Sequence, residues 1–169
     1  NNHFINAYGQ TEASPTISIT NYNDNFNTIC ETVGKPLERI EVKICDTKTG
    51  DFLKTGEVGE IVAKGYNIMK GYIGLPEEKQ SVDKNGWLHT GDFAYEEDGY
   101  IFICGRKKSV IVLKNGKNVY PEELEVLINN LPYVSESMVF GQPKNGDERD
   151  PALAVKIVYN PEYMKSTYN

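Results

Sequence analysis

The sequence lacks any apolar run near the roughly 20 residues that a membrane-spanning helix requires, and it shows no signal-peptide pattern. A soluble protein is expected, with peripheral membrane contact left open. Histidine is scarce: His3 and His89 are too few and too far apart to suggest a zinc site, so a structural or solvated role is expected for each. Cys30, Cys45 and Cys104 have no metal-ligand spacing. Their odd number and wide separation suit a reducing, cytoplasmic setting rather than a disulfide scaffold. A basic excess is also missing, with 18 Lys and Arg against 24 Asp and Glu, a net charge of −6 and a pI near 5.0. That balance argues against nucleic acid as the main partner. There is no internal repeat and no low-complexity segment.

What remains is a chain of 169 residues with 39% hydrophobic content, enough to bury a real core in one domain or two small ones. The stretch from Gly86 to Lys108, GWLHTGDFAYEEDGYIFICGRKK, is the most informative. Phe93 to Tyr95 and Tyr100 to Ile103 are rich in aromatic and β-branched residues and flank Glu96-Glu97-Asp98-Gly99, a loop with an Asp-Gly turn signal. Pairing Tyr95 with Tyr100 places Asp92 opposite Ile103 and brings Thr90-Gly91-Asp92 and Gly105-Arg106 to one end of the ribbon. An ionised carboxylate can accept bonds from both hydroxyls of a ribose, and a guanidinium offers a planar donor fork to oxygen-rich ligands. An exposed cross-strand ion pair, worth under ~1 kcal/mol, fits the same geometry.

A second cluster, Asn6 to Glu12, follows the apolar Phe4-Ile5 and gathers an aromatic, a glycine, a hydroxyl and a carboxylate. Tyr8 has the face to stack on a base, Thr11 the hydroxyl to bond a phosphate, and Glu12 the hard oxygen that Mg²⁺ prefers. A loop whose polar side chains satisfy their own backbone is the alternative.

The rest of the chain reads as short elements between turns. Strands are expected over Ile17 to Thr20, Arg39 to Cys45 and Glu60 to Gly65, with Asn21 to Asn27 a polar connection and Pro76 to Val82 a short helix. Ile40, Val42 and Ile44 alternate with Glu41 and Lys43 as in a half-buried strand. Val110 to Leu113 and Asn118 to Tyr120 form a hairpin turning at Asn115-Gly116. Pro121 starts an amphipathic helix ending near Asn130, and strands over Ser135 to Phe140 and Leu153 to Tyr159 are joined by a polar loop from Gln142 to Asp150. The fold class is α+β.

Four motifs in order, YGQTE at Tyr8 to Glu12, GEIVAKGYNIMKGY at Gly59 to Tyr72, GWLHTGD at Gly86 to Asp92 and GRKK at Gly105 to Lys108, resemble the adenylate-forming superfamily of acyl-CoA synthetases, peptide-synthetase adenylation domains and luciferases. The resemblance runs from Asn6 to about Tyr159. It implies that Tyr8 packs on adenine with Gly9 beside it, that Thr11 lies near the α-phosphate, and that Glu12 associates with Mg²⁺. It implies that Asp92 and Arg106 hold the ribose of ATP or AMP, that Lys108 is the hinge, and that Gly116 belongs to a loop lining the CoA tunnel. Taken by itself, Lys108 in its basic run reads as a solvated lysine.

The implied architecture is a small β-barrel-like subdomain at about 17–104, within the C-terminal part of a large AMP-binding domain (1–106). A mobile α+β C-terminal domain then starts at 107–169, with the boundary at Lys107-Lys108. The implied activity is ATP-dependent, AMP-forming activation of a carboxylic acid followed by transfer to CoA. GWLHTGD resembles acyl-CoA synthetases more than peptide-synthetase adenylation domains, and the segment from Lys108 to Glu123 is similar to long-chain fatty acyl-CoA ligases. An amino-acid-activating domain, a bioluminescent relative and a noncatalytic nucleotide-binding or interaction domain remain as other readings. The family's Ser/Thr/Gly-rich phosphate loop is missing, and Lys165 lacks the Gly-Lys setting of the family's catalytic lysine. The chain is therefore expected to be a fragment that is inactive alone.

Overall fold

The computed structural model describes residues 4–144 and 147–168. The chain divides into two compact units, Asn1–Cys104 and Gly105–Asn169. His3 lies outside the described residues.

In the first unit, β1 (Ala7–Gly9), β2 (Thr16–Ile19) and β3 (Lys35–Pro36) form an antiparallel sheet in that order. Between β2 and β3 the polar connection expected over Asn21 to Asn27 runs into a helix, α1 (Phe26–Glu31), whose N-cap Asn25 accepts the Thr28 N–H at 3.0 Å. A second sheet runs β4 (Ile40–Cys45), β5 (Gly59–Gly65), β6 (Leu88–Glu97) and β7 (Tyr100–Arg106), each beside the next. Alternation in β4 holds: Ile40 and Ile44 are buried while Glu41 and Lys43 face solvent. Ile17, Ile61, Leu88 and Ile101 are at most 1% exposed, and burying each such side chain stabilises the fold by about 1.5–3 kcal/mol. They sit in two packed clusters that Tyr8 and Val42 both touch. No closed barrel forms among the described residues, so the α+β class stands with two sheets that are bridged where Ile101 of β7 accepts the Val33 N–H at 2.9 Å and donates to the Gly34 carbonyl at 3.0 Å. Pro76 to Val82 holds only a single helical turn, Glu77–Lys79.

The β6–β7 turn is tighter than the four-residue loop expected. Both strands extend to a two-residue Asp98-Gly99 turn, whose φ angles of 51° and 81° suit the right-handed twist of a hairpin. Tyr95 consequently stacks on Phe102, with centroids 4.7 Å apart and planes 6° from parallel, rather than pairing with Tyr100.

The second unit opens with the two-residue strands β8 (Ile111–Val112) and β9 (Asn118–Val119), paired across Gly116. Helix α2 (Pro121–Asn129) starts on a proline with Glu122 and Glu123 in its first turn, where missing N–H partners and the helix dipole favour them. It packs on β10 (Val134–Lys144), where Glu125 accepts the Val139 N–H at 2.7 Å. Strand β10 pairs with β11 (Asp147–Tyr159), so both strands run well into the segment expected as a loop. Asn145 and Gly146, inside that segment, lie outside the described residues. Helix α3 (Pro161–Tyr168), absent from the sequence reading, is capped by Asn160, which accepts the Glu162 and Tyr163 N–H groups at 3.1 Å.

Candidate functional site

Strand β1 delivers Tyr8, and a tight turn follows it. Gly9 pairs with Thr16 at an irregular step in the register, and a Cβ there would lie 1.8 Å from the Pro15 carbonyl oxygen. Only glycine fits that approach. A helical turn, Thr11–Ala13, then exposes Thr11, half-buries Glu12 and seats Ala13 in the core. Ser14 closes it at φ 51°, donating its N–H to the Thr11 carbonyl at 3.2 Å.

Asp92 arrives from β6 by a bulge. Glu60 pairs with Phe93 and Val62 with His89, so Thr90, Gly91 and Asp92 together face Ile61. A bulge re-aims a side chain that regular pleating would turn elsewhere. Three hydrogen bonds hold it: Thr90 Oγ1 to the Ile61 carbonyl at 2.9 Å, the Asp92 N–H to Thr90 Oγ1 at 3.2 Å, and the Gly91 N–H to Glu60 Oε1 at 3.1 Å. Gly91 takes φ 77°, where a side chain would be strained.

Glu60 is 3% exposed, and its other oxygen lies 3.2 Å from His89 Nδ1. The tautomer with a proton on Nδ1 satisfies that carboxylate. His89 therefore supports the bulge, and no group of three or more His, Cys, Asp or Glu side chains gathers as a metal site among the described residues.

The two halves of this unit's site meet at one bond. The Tyr8 phenol donates to Asp92 Oδ2 at 2.7 Å, across 84 residues of sequence. Tyr8 is thus a core-anchored partner of Asp92 as well as an aromatic surface. Glu12 receives a hydrogen bond at Oε1 from the Tyr72 phenol. That bond, followed by its own backbone N–H, holds the Glu12 carboxyl below the usual value of 4.5, and the same bond raises the Tyr72 phenol above 10.0.

Arg106, Lys108 and Gly116 belong to the second unit. The Arg106 carbonyl accepts the Ser109 N–H at 3.0 Å and the Val110 N–H at 3.2 Å, so Lys107 and Lys108 ride an exposed turn. Lys108, Ile111, Pro121, Glu122 and Val139 border a groove of about 710 Å³. Gly116 tips the β8–β9 hairpin at φ 81°, with open space on the side where a Cβ would stand.

Sequence reading missed Glu60, Tyr72 and Gln80 as supporting residues. Glu60 and Tyr72 both stand inside the Gly59 to Tyr72 motif, but their roles depend on partners 29 or more residues away.

The AMP-binding enzyme family matches residues 1–73, and the AMP-binding enzyme C-terminal domain matches residues 108–146. The acyl-CoA ligase SID4 of Ajellomyces capsulatus is 41% identical over 146 residues, covering 83% of this chain and 25% of the relative. The long-chain-fatty-acid–CoA ligase of Escherichia coli O6:H1 is 33% identical over 161 residues, covering 89% of this chain and 28% of the relative. Among solved structures, ATP-bound MatB from Rhodopseudomonas palustris superposes with a TM-score of 0.81 at 28% identity, covering 98% of this chain and 34% of that one. The chain thus spans between a quarter and a third of the length of these proteins.

Proposed function

The chain belongs to the AMP-binding enzyme family, and we propose that the protein carrying it activates a carboxylic acid with ATP and passes the acyl group to CoA. The observation that carries this reading is the Tyr8 to Asp92 hydrogen bond, which joins two motifs distant in sequence. Asp92 is suited to accept the ribose hydroxyls, with Tyr8 holding it and offering its ring face to the base. The exposed Thr11 hydroxyl is suited to donate to an α-phosphate oxygen. Arg106 is assigned to the ribose as well, Lys108 to the hinge and Gly116 to the loop that lets the CoA arm approach, with the domain boundary at Lys107-Lys108.

Glu12 fits Mg²⁺: it is an ionised, partly exposed oxygen donor. A cation that keeps its waters and leans on substrate phosphates needs no more than one or two carboxylates. When bound, Mg²⁺ neutralises polyphosphate charge.

In the first half-reaction a carboxylate oxygen attacks the α-phosphorus, the bond from that phosphorus to the bridging oxygen breaks, and pyrophosphate leaves. In the second, the CoA sulfur bonds to the acyl carbon, the acyl–phosphate oxygen bond breaks, AMP departs, and the thiol proton passes to solvent. The chain's own contribution is to orient ribose and α-phosphate so that two anions meet in line, the kind of positioning that removes several kcal/mol of barrier.

A long-chain fatty acid is the proposed substrate, supported by similarity to the ligase of that name and by the Lys108 to Glu123 segment. A cytoplasmic location is supported by the odd number and wide separation of Cys30, Cys45 and Cys104; no helix among the described residues is long and apolar enough to cross a membrane. Pyrophosphate release by the complete protein, across fatty, aromatic and amino acids with and without CoA, tests the proposal. Release dependent on a fatty acid, with thioester formed when CoA is present, is expected; release driven by amino acids alone would overturn it.

A further inference from the structure

Residues Gly71 to Gln80 carry a clasp that the proposed reaction does not by itself require. Gln80 Oε1 accepts the Tyr72 N–H at 2.6 Å, while Nε2 donates to the carbonyls of Tyr72 at 2.9 Å and Leu75 at 2.8 Å. One amide thus closes three bonds on one loop. Gly71 makes room for it: its φ is 140°, and a Cβ there would come 2.8 Å from Gln80 Oε1. Little apolar burial helps, since Tyr72 and Leu75 are each 42% exposed and Ile73 is fully exposed.

Glu12 is held twice, once by Met69 just before the clasp and once by Tyr72 within it. The Met69 N–H donates to the Glu12 carbonyl at 2.9 Å, and the Tyr72 phenol donates to the Glu12 carboxylate. A lysine at position 72 would neutralise that carboxylate, whereas a phenol restrains it and leaves its charge for a cation. Restraint matters because Mg²⁺ demands near-octahedral geometry, and a freely rotating glutamate loses rotamer entropy on binding.

We infer that Tyr72 is a positioning residue that aims the Glu12 carboxylate at a divalent cation carried by a polyphosphate, and that Gln80 sets its reach through the loop it clasps. This rests on the reading of Glu12 as the Mg²⁺ carboxylate.

The test uses the complete protein with Mn²⁺ as probe, read by electron paramagnetic resonance in the presence of a nonhydrolysable ATP analogue. Calorimetry of the same analogue in EDTA gives the metal-free affinity. Tyr72→Phe is expected to weaken Mn²⁺ binding about tenfold, the usual worth of a hydrogen bond to a charged group. Gln80→Ala should weaken it roughly threefold alone and by under about twofold in the Tyr72→Phe background, because the two act in series. Metal-free affinity should stay within about twofold throughout. Wild-type Mn²⁺ affinity in Tyr72→Phe, beside a loss in Glu12→Gln, would overturn the inference while leaving Glu12 as the metal carboxylate. Equal losses with and without metal would mark a merely structural clasp and also overturn it. Wild-type Mn²⁺ affinity in Glu12→Gln would remove the underlying reading of Glu12.

Discussion

The phenol of Tyr8 donates to Oδ2 of Asp92 at 2.7 Å, so the aromatic that begins one motif fixes the carboxylate that ends another. Tyr8→Phe keeps the ring in the core and removes only this bond. It is expected to raise the KM for ATP about three- to tenfold with a stability loss near 1 kcal/mol. Steady-state kinetics on the complete protein checks this; an unchanged KM would show that Asp92 needs no such partner.

Glu60 is the buried support of the Asp92 bulge, accepting the Gly91 N–H and facing His89. Glu60→Ala leaves both groups without that acceptor and should cost about 2–3 kcal/mol, with a raised KM for ATP. Glu60→Gln retains one acceptor and should cost less. Chemical denaturation distinguishes them, and equal, small losses would contradict the bulge's dependence on a carboxylate.

A pH prediction concerns Tyr100, whose phenol donates to Asp24 Oδ1 at 2.7 Å and is raised above the usual 10.0 chiefly by that bond. A raised folded-state pKa gives stability that is complete below the unfolded value and lost as pH rises through the folded one. The melting-temperature gap between wild type and Tyr100→Phe should therefore be flat from about pH 6 to 9 and close above about pH 10. A gap constant to about pH 11 would contradict the assignment.

Lys108 occupies an exposed turn whose backbone bonds run from Arg106 to Ser109 and Val110. Proline at that position locks φ near −65°. As a hinge residue, Lys108→Pro should spare adenylate formation and slow thioester formation, measured as separate half-reactions. Equal loss of both would remove the hinge role.

Much of this was legible from sequence because it is local. Alternating Ile40, Val42 and Ile44 mark a strand, Asp98-Gly99 marks a hairpin, and Pro121 with two following glutamates marks a helix start. The four-residue loop was misjudged because Glu96 and Glu97 look polar enough for a turn, yet they continue β6. Helix α1 was hidden by its brevity in an Asn-rich stretch, although Asn25 is its cap. The Asn160-Pro161-Glu162 start of α3 carried a readable signal that went unused. The bulge at Thr90 to Asp92 was not legible, since it depends on a buried glutamate from another strand. Gln80 likewise reveals itself only through its three bonds to the loop before it.

The proposed hold of Asp92 on the ribose is tested by calorimetry that compares AMP with 2′,3′-dideoxy-AMP on wild type and Asp92→Ala. Wild type should prefer AMP by roughly tenfold or more, and Asp92→Ala should bind both nucleotides weakly and alike. A preference for AMP that survives intact in Asp92→Ala would contradict it.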